Sequence, residues 1–229
     1  MTRRITVVEN LLSANDRMAQ ANRARLDEAG LFAINLVASP GAGKTALVER
    51  TVRALAPSLR VAVIDGDLAS QLDADRAAAA GAQAVQINTG GECHLDAGML
   101  RDGLAQLPLE ALDLLIVENV GNLVCPTHFK LGTHRTVLVA SVPEGDDKPY
   151  KYPGSYRGVE ALVLNKIDLL PYVPFCAEHF WRGVQALNPE AARFEVACLT
   201  GAGLERWLTW LVGEAQAHRA AHPARAAAR

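Results

Sequence analysis

Little in this sequence suits a membrane or a nucleic acid. No apolar run in its 229 residues approaches the length of a membrane span. The opening MTRRITVVENLLSANDRM carries two arginines, but Glu9, Asn10, Ser13, Asn15 and Asp16 break up its apolar residues, so it holds no secretory hydrophobic region. Neither sign of charge dominates: 23 Lys and Arg stand against 25 Asp and Glu, for a formal net charge of −2. That balance argues against electrostatic affinity for nucleic acid or an anionic membrane surface. There are only four cysteines and no leader, which points to the reducing cytoplasm, where a thiol fills a core, does chemistry or binds a metal. Residues 1–30 contain neither Cys nor His. No internal repeat and no break in composition marks a second domain. The length suffices to bury about 70% of the unfolded surface in one large core.

The chain is organised around Leu31 to Thr45. Leu31, Phe32, Ile34, Leu36 and Val37 read as a buried strand, Ser39-Pro40-Gly41-Ala42-Gly43 as a Gly-rich turn, and Lys44-Thr45 as the opening of a helix. That is the order of a phosphate-binding loop. Gly41, Ala42 and Gly43 turn backbone N–H groups toward an anion, Lys44 reaches the β/γ-phosphates, and Thr45 offers a hydroxyl to Mg²⁺. Ala38 occupies the first glycine position of the general G-x-x-x-x-G-K-[ST] pattern.

Before this loop, residues 5–29 place Val8, Leu11, Leu12, Met18, Ala19 and Leu26 at mostly helical spacing, giving an amphipathic helix stopped by Gly30. After it, the expected helices cover 46–55, 73–80, 95–107, about 175–187 and 203–215. The expected strands are Arg60–Asp65, Ala84–Asn88, Asp113–Glu118, Thr136–Val142, Val159–Leu164 and a short one at 193–198. Pro143 to Tyr156 reads as a long surface loop, a functional candidate by its length. Strands alternating with helices predict an α/β fold with a parallel sheet and right-handed crossovers. The expected division is an N-terminal helix over 1–30, a nucleotide-binding domain over 31–214 and a flexible tail over 215–229, with His218 and His222 solvated in the tail.

Open parallel sheets bind ligands at the carboxyl ends of their strands, and the polar signatures fall at such ends. Asn165-Lys166-Ile167-Asp168 matches the N-K-x-D motif that reads guanine, a carboxylate accepting from N1–H and the 2-amino group that adenine lacks. Thr200-Gly201-Ala202-Gly203 follows the last strand, where a small loop would lie beside the base. Asp67, ahead of Asp65, stands where an acid would meet Mg²⁺, and Glu118 where a Walker-B-type carboxylate belongs. Lys44, Thr45, Asp67 and Glu118 are thus the expected catalytic set, with Thr45, Asp67 and Glu118 around Mg²⁺. The alternative for each acid is a solvated loop carboxylate. No glutamine is placed to orient water, so slow intrinsic hydrolysis that depends on a partner or second subunit is expected.

Cys93-His94 and Cys125 form a second constellation, in loops that emerge at the same edge. Thiolate and imidazole select Zn²⁺, Ni²⁺ or similar ions rather than Mg²⁺. Three ligands do not complete a tetrahedral structural site; water, another side chain such as His128, or a second subunit across a two-fold axis would supply the rest. Spacing alone leaves this reading level with that of two reduced loop cysteines beside a chance histidine. Cys176 and His179 read as helix packing, and Cys198 as a buried small hydrophobe.

Together these residues resemble the HypB family of GTPases that serve nickel insertion into [NiFe]-hydrogenases. The resemblance runs from Val8-Glu9-Asn10-Leu11-Leu12 and Asn22-Arg23 to Gly203. It rests most specifically on Gln86-Ile87-Asn88-Thr89-Gly90, Cys93-His94-Leu95-Asp96-Ala97, Glu118-Asn119-Val120-Gly121-Asn122-Leu123-Val124-Cys125-Pro126 and Glu144-Gly145-Asp146-Asp147-Lys148-Pro149. It implies a P-loop NTPase of SIMIBI-like GTPase class, a mostly parallel sheet flanked by helices with an N-terminal docking helix. It further implies a GTP-dependent homodimer with an interfacial Ni²⁺ or Zn²⁺ site on Cys93, His94 and Cys125, and as partners HypA-like nickel-delivery proteins and the hydrogenase large subunit. Residues 1–30 lack the C-x-x-C-G-C motif and the His-rich segment of some members, so nickel storage and a separate N-terminal site are not expected. Glu92 and Lys130 stand where the family commonly has Gly and Asp. Lys148 is a candidate contact to nucleotide or to the other subunit. The competing readings are a urease-maturation GTPase like UreG, whose Cys-Pro-His motif is not matched by Cys125-Pro126-Thr127, and a P-loop small-molecule kinase.

Overall fold

The computed structural model describes residues 7–67, 72–127 and 129–222. In chain order the elements are α1 Val7–Glu28, β1 Phe32–Ala38, α2 Lys44–Leu55, β2 Val61–Asp67, α3 Leu72–Ala80, β3 Gln83–Asn88, α4 Ala97–Leu104, β4 Leu114–Glu118 and β5 Arg135–Ser141. They continue with α5 Lys148–Lys151, α6 Pro153–Arg157, β6 Ala161–Asn165, α7 Ala177–Leu187, β7 Ala192–Glu195 and α8 Leu204–Ala221. The strands form one sheet in the order β3-β2-β4-β1-β5-β6-β7, parallel throughout. This is the parallel α/β architecture expected from the sequence.

β1 is central, buried along its length, and its alternation divides the core. Phe32, Ile34 and Leu36 pack on one face with Leu47, Val48 and Val52 of α2 and Trp207 and Leu211 of α8. Ala33 lies in the cluster on the other face with Leu26 of α1 and Leu100 and Leu104 of α4, and Val37 in a neighbouring one with Phe180 and Val184 of α7. Helices thus cover both faces, as a parallel sheet requires. α1 docks through polar as well as apolar groups. Leu26 is fully buried, and Asn22 donates to the carbonyls of Ala97 (2.8 Å) and Leu131 (3.0 Å). The fit leaves no room at Gly132, where φ is +95° and a Cβ would sit 2.2 Å from the Ala19 carbonyl oxygen. The side chains of Val8 and Leu11 lie outside those described.

Several boundaries differ from expectation for local reasons. α4 starts at Ala97 rather than Leu95 because the Asp96 side chain caps it, accepting from the Met99 N–H at 2.8 Å. β2 runs on through Gly66-Asp67 because both pair with β3. The expected loop over 143–156 instead holds two short helices, α5 and α6, and Tyr156 at its end is buried. Of the expected flexible tail over 215–229, residues 223–229 lie outside the described ones, and residues 215–222 differ most from expectation. α8 continues past Ala215 to Ala221, and His218 and His222, expected in solvent, pack against each other with ring centroids 4.4 Å apart and planes tilted by 42°. His218 also packs 4.1 Å from the His134 ring and 5.9 Å from that of Phe32. Packing of the His218 ring, invisible in an Ala/Arg/His-rich composition, holds the last turns of the helix.

Candidate functional site

The loop after β1 closes against the loop after β6. Gly41 and Gly43 have φ of +77° and +98°, and a Cβ at Gly43 would lie 2.4 Å from Asn165 Nδ2. Asn165 exploits that closeness: Nδ2 donates to the Ala42 carbonyl (3.0 Å), while Oδ1 accepts from the backbone N–H of Lys166 (2.8 Å) and Cys198 (3.3 Å). One buried amide therefore joins the phosphate loop, the N-K-x-D turn and the loop after β7. Lys166 Nζ adds a bond to the Gly41 carbonyl (2.7 Å). Lys166 itself has φ +61°, the one positive value for a non-glycine among the described residues, a backbone state that persists where surrounding contacts enforce it. Between these loops lies a cavity of about 590 Å³ lined by Gly43, Ala46, Arg50, Asp168 and Leu199 among others, within the range of small-molecule sites. Cys198 is buried at its edge, as expected, and burial pushes its thiol up to about 11.

Beneath the loop, Lys44 is nearly buried at the start of α2, and Thr45 Oγ1 donates to Glu118 Oε1 at 2.7 Å. Asp65, Asp73 and Glu118 bring carboxylate oxygens within 4.8 Å of one another. Asp65 and Glu118 are buried, and burial raises each carboxyl to about 7. Asp65 Oδ2 has no hydrogen-bond partner among the described residues. The sequence ranks Asp67 above Asp65; the structure brings Asp65 into the cluster and leaves Asp67 outside it. The reason is register. Asp65 pairs directly with Glu118, whereas Asp67 lies two residues, roughly 6–7 Å, further along β2.

Cys93 Sγ lies 3.7 Å from His94 Nδ1, and the Cys93 thiol is raised chiefly by its hydrogen bond with Cys125. The His94 ring rests on Phe129, 3.9 Å between centroids. The chain thus brings together the loops after β3 and β4, yet this trio is not among the groups of three ligand atoms within 4.8 Å found in the described residues. His128 lies outside those residues. Glu92 and Lys130 are exposed. Lys148 sits at the start of α5 with Nζ 5.2 Å from the Tyr152 ring centre and is not among the residues lining the cavity. The His179 ring stacks on Tyr150 (4.5 Å), while Cys176 is exposed.

Asn119, quoted above only as part of the Glu118 to Pro126 run, and Asn35, midway along β1, have roles that sequence reasoning did not assign. Asn119 Oδ1 accepts from the N–H groups of Leu95 (3.0 Å) and Val120 (3.0 Å), and its Nδ2 donates to Asn35 Oδ1 (3.2 Å). Both asparagines are buried. They tie Leu95, directly after His94, to the segment leading from Glu118 to Cys125. Asn35 interrupts an otherwise apolar strand, and such a buried amide demands a partner; that interruption was the available signal.

A central parallel sheet whose first strand opens into this loop and helix defines a P-loop nucleotide-binding protein. The family model described as the CobW/HypB/UreG nucleotide-binding domain matches residues 32–195. The hydrogenase maturation factor HypB of Escherichia coli K12 is 45% identical over 210 residues, covering 91% of this chain and 72% of the relative. The crystal structure of HypB from Archaeoglobus fulgidus superposes with a TM-score of 0.83 at 38% identity, over 89% of this chain and 99% of that one. That of HypB from Helicobacter pylori in complex with nickel gives 0.86 at 35%, over 90% and 97%. The chain belongs to the CobW/HypB/UreG family, in its HypB branch of hydrogenase maturation factors.

Proposed function

We propose that this chain hydrolyses GTP to GDP and phosphate and uses the cycle to hand Ni²⁺ or Zn²⁺ to a [NiFe]-hydrogenase under assembly. The observation that carries the nucleotide half is the Asn165 amide, which fastens the guanine-reading turn to the phosphate loop across a cavity of nucleotide size. Gly41, Ala42 and Gly43 offer backbone N–H groups to the phosphates, and Lys44 neutralises their charge. Asn165 and Lys166 hold the base-facing turn, and Asp168 accepts from guanine. Mg²⁺ fits the acidic pocket, since Asp65 carries a buried oxygen without a partner among the described residues and Thr45 already bonds Glu118. Thr45, Asp65 and Glu118 would hold it, with Asp67 a further candidate; when bound it supplies charge neutralisation at the phosphates. Neither a glutamine nor a carboxylate lies in the switch segment Asn119 to Cys125, which supports slow turnover awaiting a partner.

Cys93, His94 and Cys125 would take the metal as cargo. Three donors leave the set incomplete, and a second copy of the chain across a two-fold axis would complete it, so the active form is a GTP-dependent homodimer. Asn119 links the two halves, because a nucleotide that moves the segment after Glu118 also pulls on Leu95 and the Cys93-His94 loop. By linkage, metal and nucleotide then change each other's affinity by the same factor. The receiving proteins would be HypA-like delivery factors and the hydrogenase large subunit, in the cytoplasm. Among the described residues no helix is long and apolar enough to cross a membrane. Titrating Ni²⁺ and Zn²⁺ into the apo, GDP and GTP-analogue forms, with oligomeric state followed in parallel, tests this. The expected result is metal affinity that differs between nucleotide states, with dimer in the GTP form. Equal metal affinity in all three forms would overturn the coupling.

A further inference from the structure

The opposite edge of the sheet holds a second group of ligand-bearing side chains. Asp27 lies at the end of α1, His134 just before β5, His218 in the last turn of α8, and His222 four residues on, as the residue that caps the C-terminus of α8. Asp27 Oδ1 is 3.9 Å from Nε2 of His218 and 3.9 Å from Nε2 of His222. These are the other three ligand atoms within 4.8 Å of one another. A tetrahedral site with bonds of about 2.0–2.2 Å spaces its donors roughly 3.3–3.6 Å apart, so an ion would draw Asp27 toward each histidine by about half an ångström and the two imidazoles, within 4.8 Å of each other, together by about an ångström at most.

The tautomers suit this role. His222 Nδ1 lies 2.9 Å from the His218 carbonyl oxygen. That oxygen only accepts, so Nδ1 carries the proton and Nε2 presents a lone pair toward Asp27. This is the outer hydrogen bond that metal-bound histidines make. His134 takes the other form. Its Nδ1 accepts the Ala33 N–H (2.9 Å), so Nε2–H donates to Asp27 Oδ1 (2.8 Å) and aims the carboxylate. His218 gives the independent sign of a missing ligand. Its side chain is only 9% exposed, yet Nε2, pointing into the group, has no hydrogen-bond partner among the described residues. Such a buried nitrogen is costly unless something satisfies it.

We propose that Asp27, His218 and His222 form a second site for a borderline divalent transition metal of the Zn²⁺ and Ni²⁺ class, with His134 as a positioning residue on Asp27. Two imidazoles and a carboxylate make a harder donor set than the thiolate-bearing loop at the nucleotide edge. An ion there staples the end of α1 to the end of α8 beneath β1 and β5. Ligands must be deprotonated to bind, so loading is accompanied by proton release wherever the histidines are charged.

The test uses the full chain carrying Cys93→Ser and Cys125→Ser, stripped of metal, held in excess Mg²⁺ to occupy the acidic pocket beneath the phosphate loop, and titrated with Co²⁺. The expected result is one Co²⁺ per chain, with visible ligand-field bands, no thiolate charge-transfer band, and displacement by Zn²⁺. His222→Ala and Asp27→Asn, each added separately, weaken Co²⁺ binding at least tenfold; both side chains are about a third exposed, so neither change opens a core cavity. His134→Gln keeps the stoichiometry but shifts the Co²⁺ spectrum and weakens binding. Failure of the serine-substituted chain to bind Co²⁺, or retention of full affinity in both His222→Ala and Asp27→Asn, would overturn the site.

Discussion

At the carboxyl edge of the sheet the buried acids are short of partners, whereas at the amino edge the best-buried acid is saturated with them. Asp65 and Glu118 sit side by side beneath the phosphate loop, one with an unpartnered oxygen. Asp113, just before β4, accepts from the Arg60 backbone N–H (2.9 Å), Arg60 Nε (3.0 Å) and Nη2 (3.2 Å), and also from Arg219. Burial would raise the Asp113 carboxyl, but the Arg60 hydrogen bonds outweigh it and hold it below the ordinary range. Unspent binding capacity in a buried group is the mark of an edge waiting for a ligand. A saturated group marks scaffold. The histidines around Asp27 fall between, since His134 is satisfied on both nitrogens and His218 is not.

The largest expected effects separate the two edges. Lys44→Ala should lower GTP turnover about 10²–10³-fold, the scale of losing a preorganised charge at a developing anion, with little change in the unfolding midpoint. Asp113→Ala should do the reverse, costing about 1–3 kcal/mol of stability while leaving turnover unaltered. Phosphate release and thermal unfolding measured on both variants check this; a variant that loses both together would break the distinction. Asp168→Asn should next reduce the preference for GTP over ATP about a hundredfold, because the preference rests on a carboxylate that adenine leaves unpaired. Competition binding with the two nucleotides reads it.

Much of the carboxyl edge was legible because its chemistry is local in sequence. Gly41 to Thr45 and Asn165 to Asp168 are contiguous runs, and the strand before each sets where they emerge. What could not be read depends on register or on distant packing. Asp65 rather than Asp67 joins the carboxylate cluster because β2 and β4 align Asp65 with Glu118, a fact no single strand contains. Asn119 and Asn35 meet across 84 residues. The amino edge was almost opaque: Asp27, His134, His218 and His222 lie on three separate elements, and the composition around the last two suggested solvent. No run of residues announces such a cluster; only the docking of α1 and α8 against the base of β1 creates it.

Asn119 offers a finer test of how far the carboxyl edge acts as a unit. Asn119→Ala leaves the Leu95 N–H and Asn35 without a partner inside the core, at a cost of about 1–3 kcal/mol. If the residue also transmits between nucleotide and metal loops, the difference in Zn²⁺ affinity between the GDP and GTP-analogue forms should shrink beyond what lost stability explains. Asn35→Ala removes a partner of Asn119 while leaving the Leu95 bond in place, so it should lower stability but keep the difference. Equal loss of coupling in both variants would mean that Asn119 acts only by packing.

The smallest effect distinguishes the edges by the sign of a pH slope. Asp65 and Glu118 hold their protons to about 7 in the folded chain, against an ordinary carboxyl near 4 when unfolded. Between those values the native state binds more protons than the unfolded one. The stability these acids contribute is therefore full below about pH 4 and is lost as the pH rises through about 7. Asp113 runs the other way. Its carboxyl is depressed on folding, so its contribution is present above the ordinary carboxyl range and disappears as the pH falls through its lowered folded value. Thermal unfolding of the nucleotide-free, metal-free chain from pH 3 to 8 should then change differently in two variants. Asp65→Asn should flatten the decline toward neutral pH, and Asp113→Asn should flatten the loss in acid. Because Arg60 is half exposed, solvent screens that pair, and the acid limb should be the shallower of the two. Matching slopes in Asp65→Asn and Asp113→Asn would show that the two edges are not electrostatically opposed, and that the unpartnered oxygen of Asp65 reflects packing rather than a place kept for a cation.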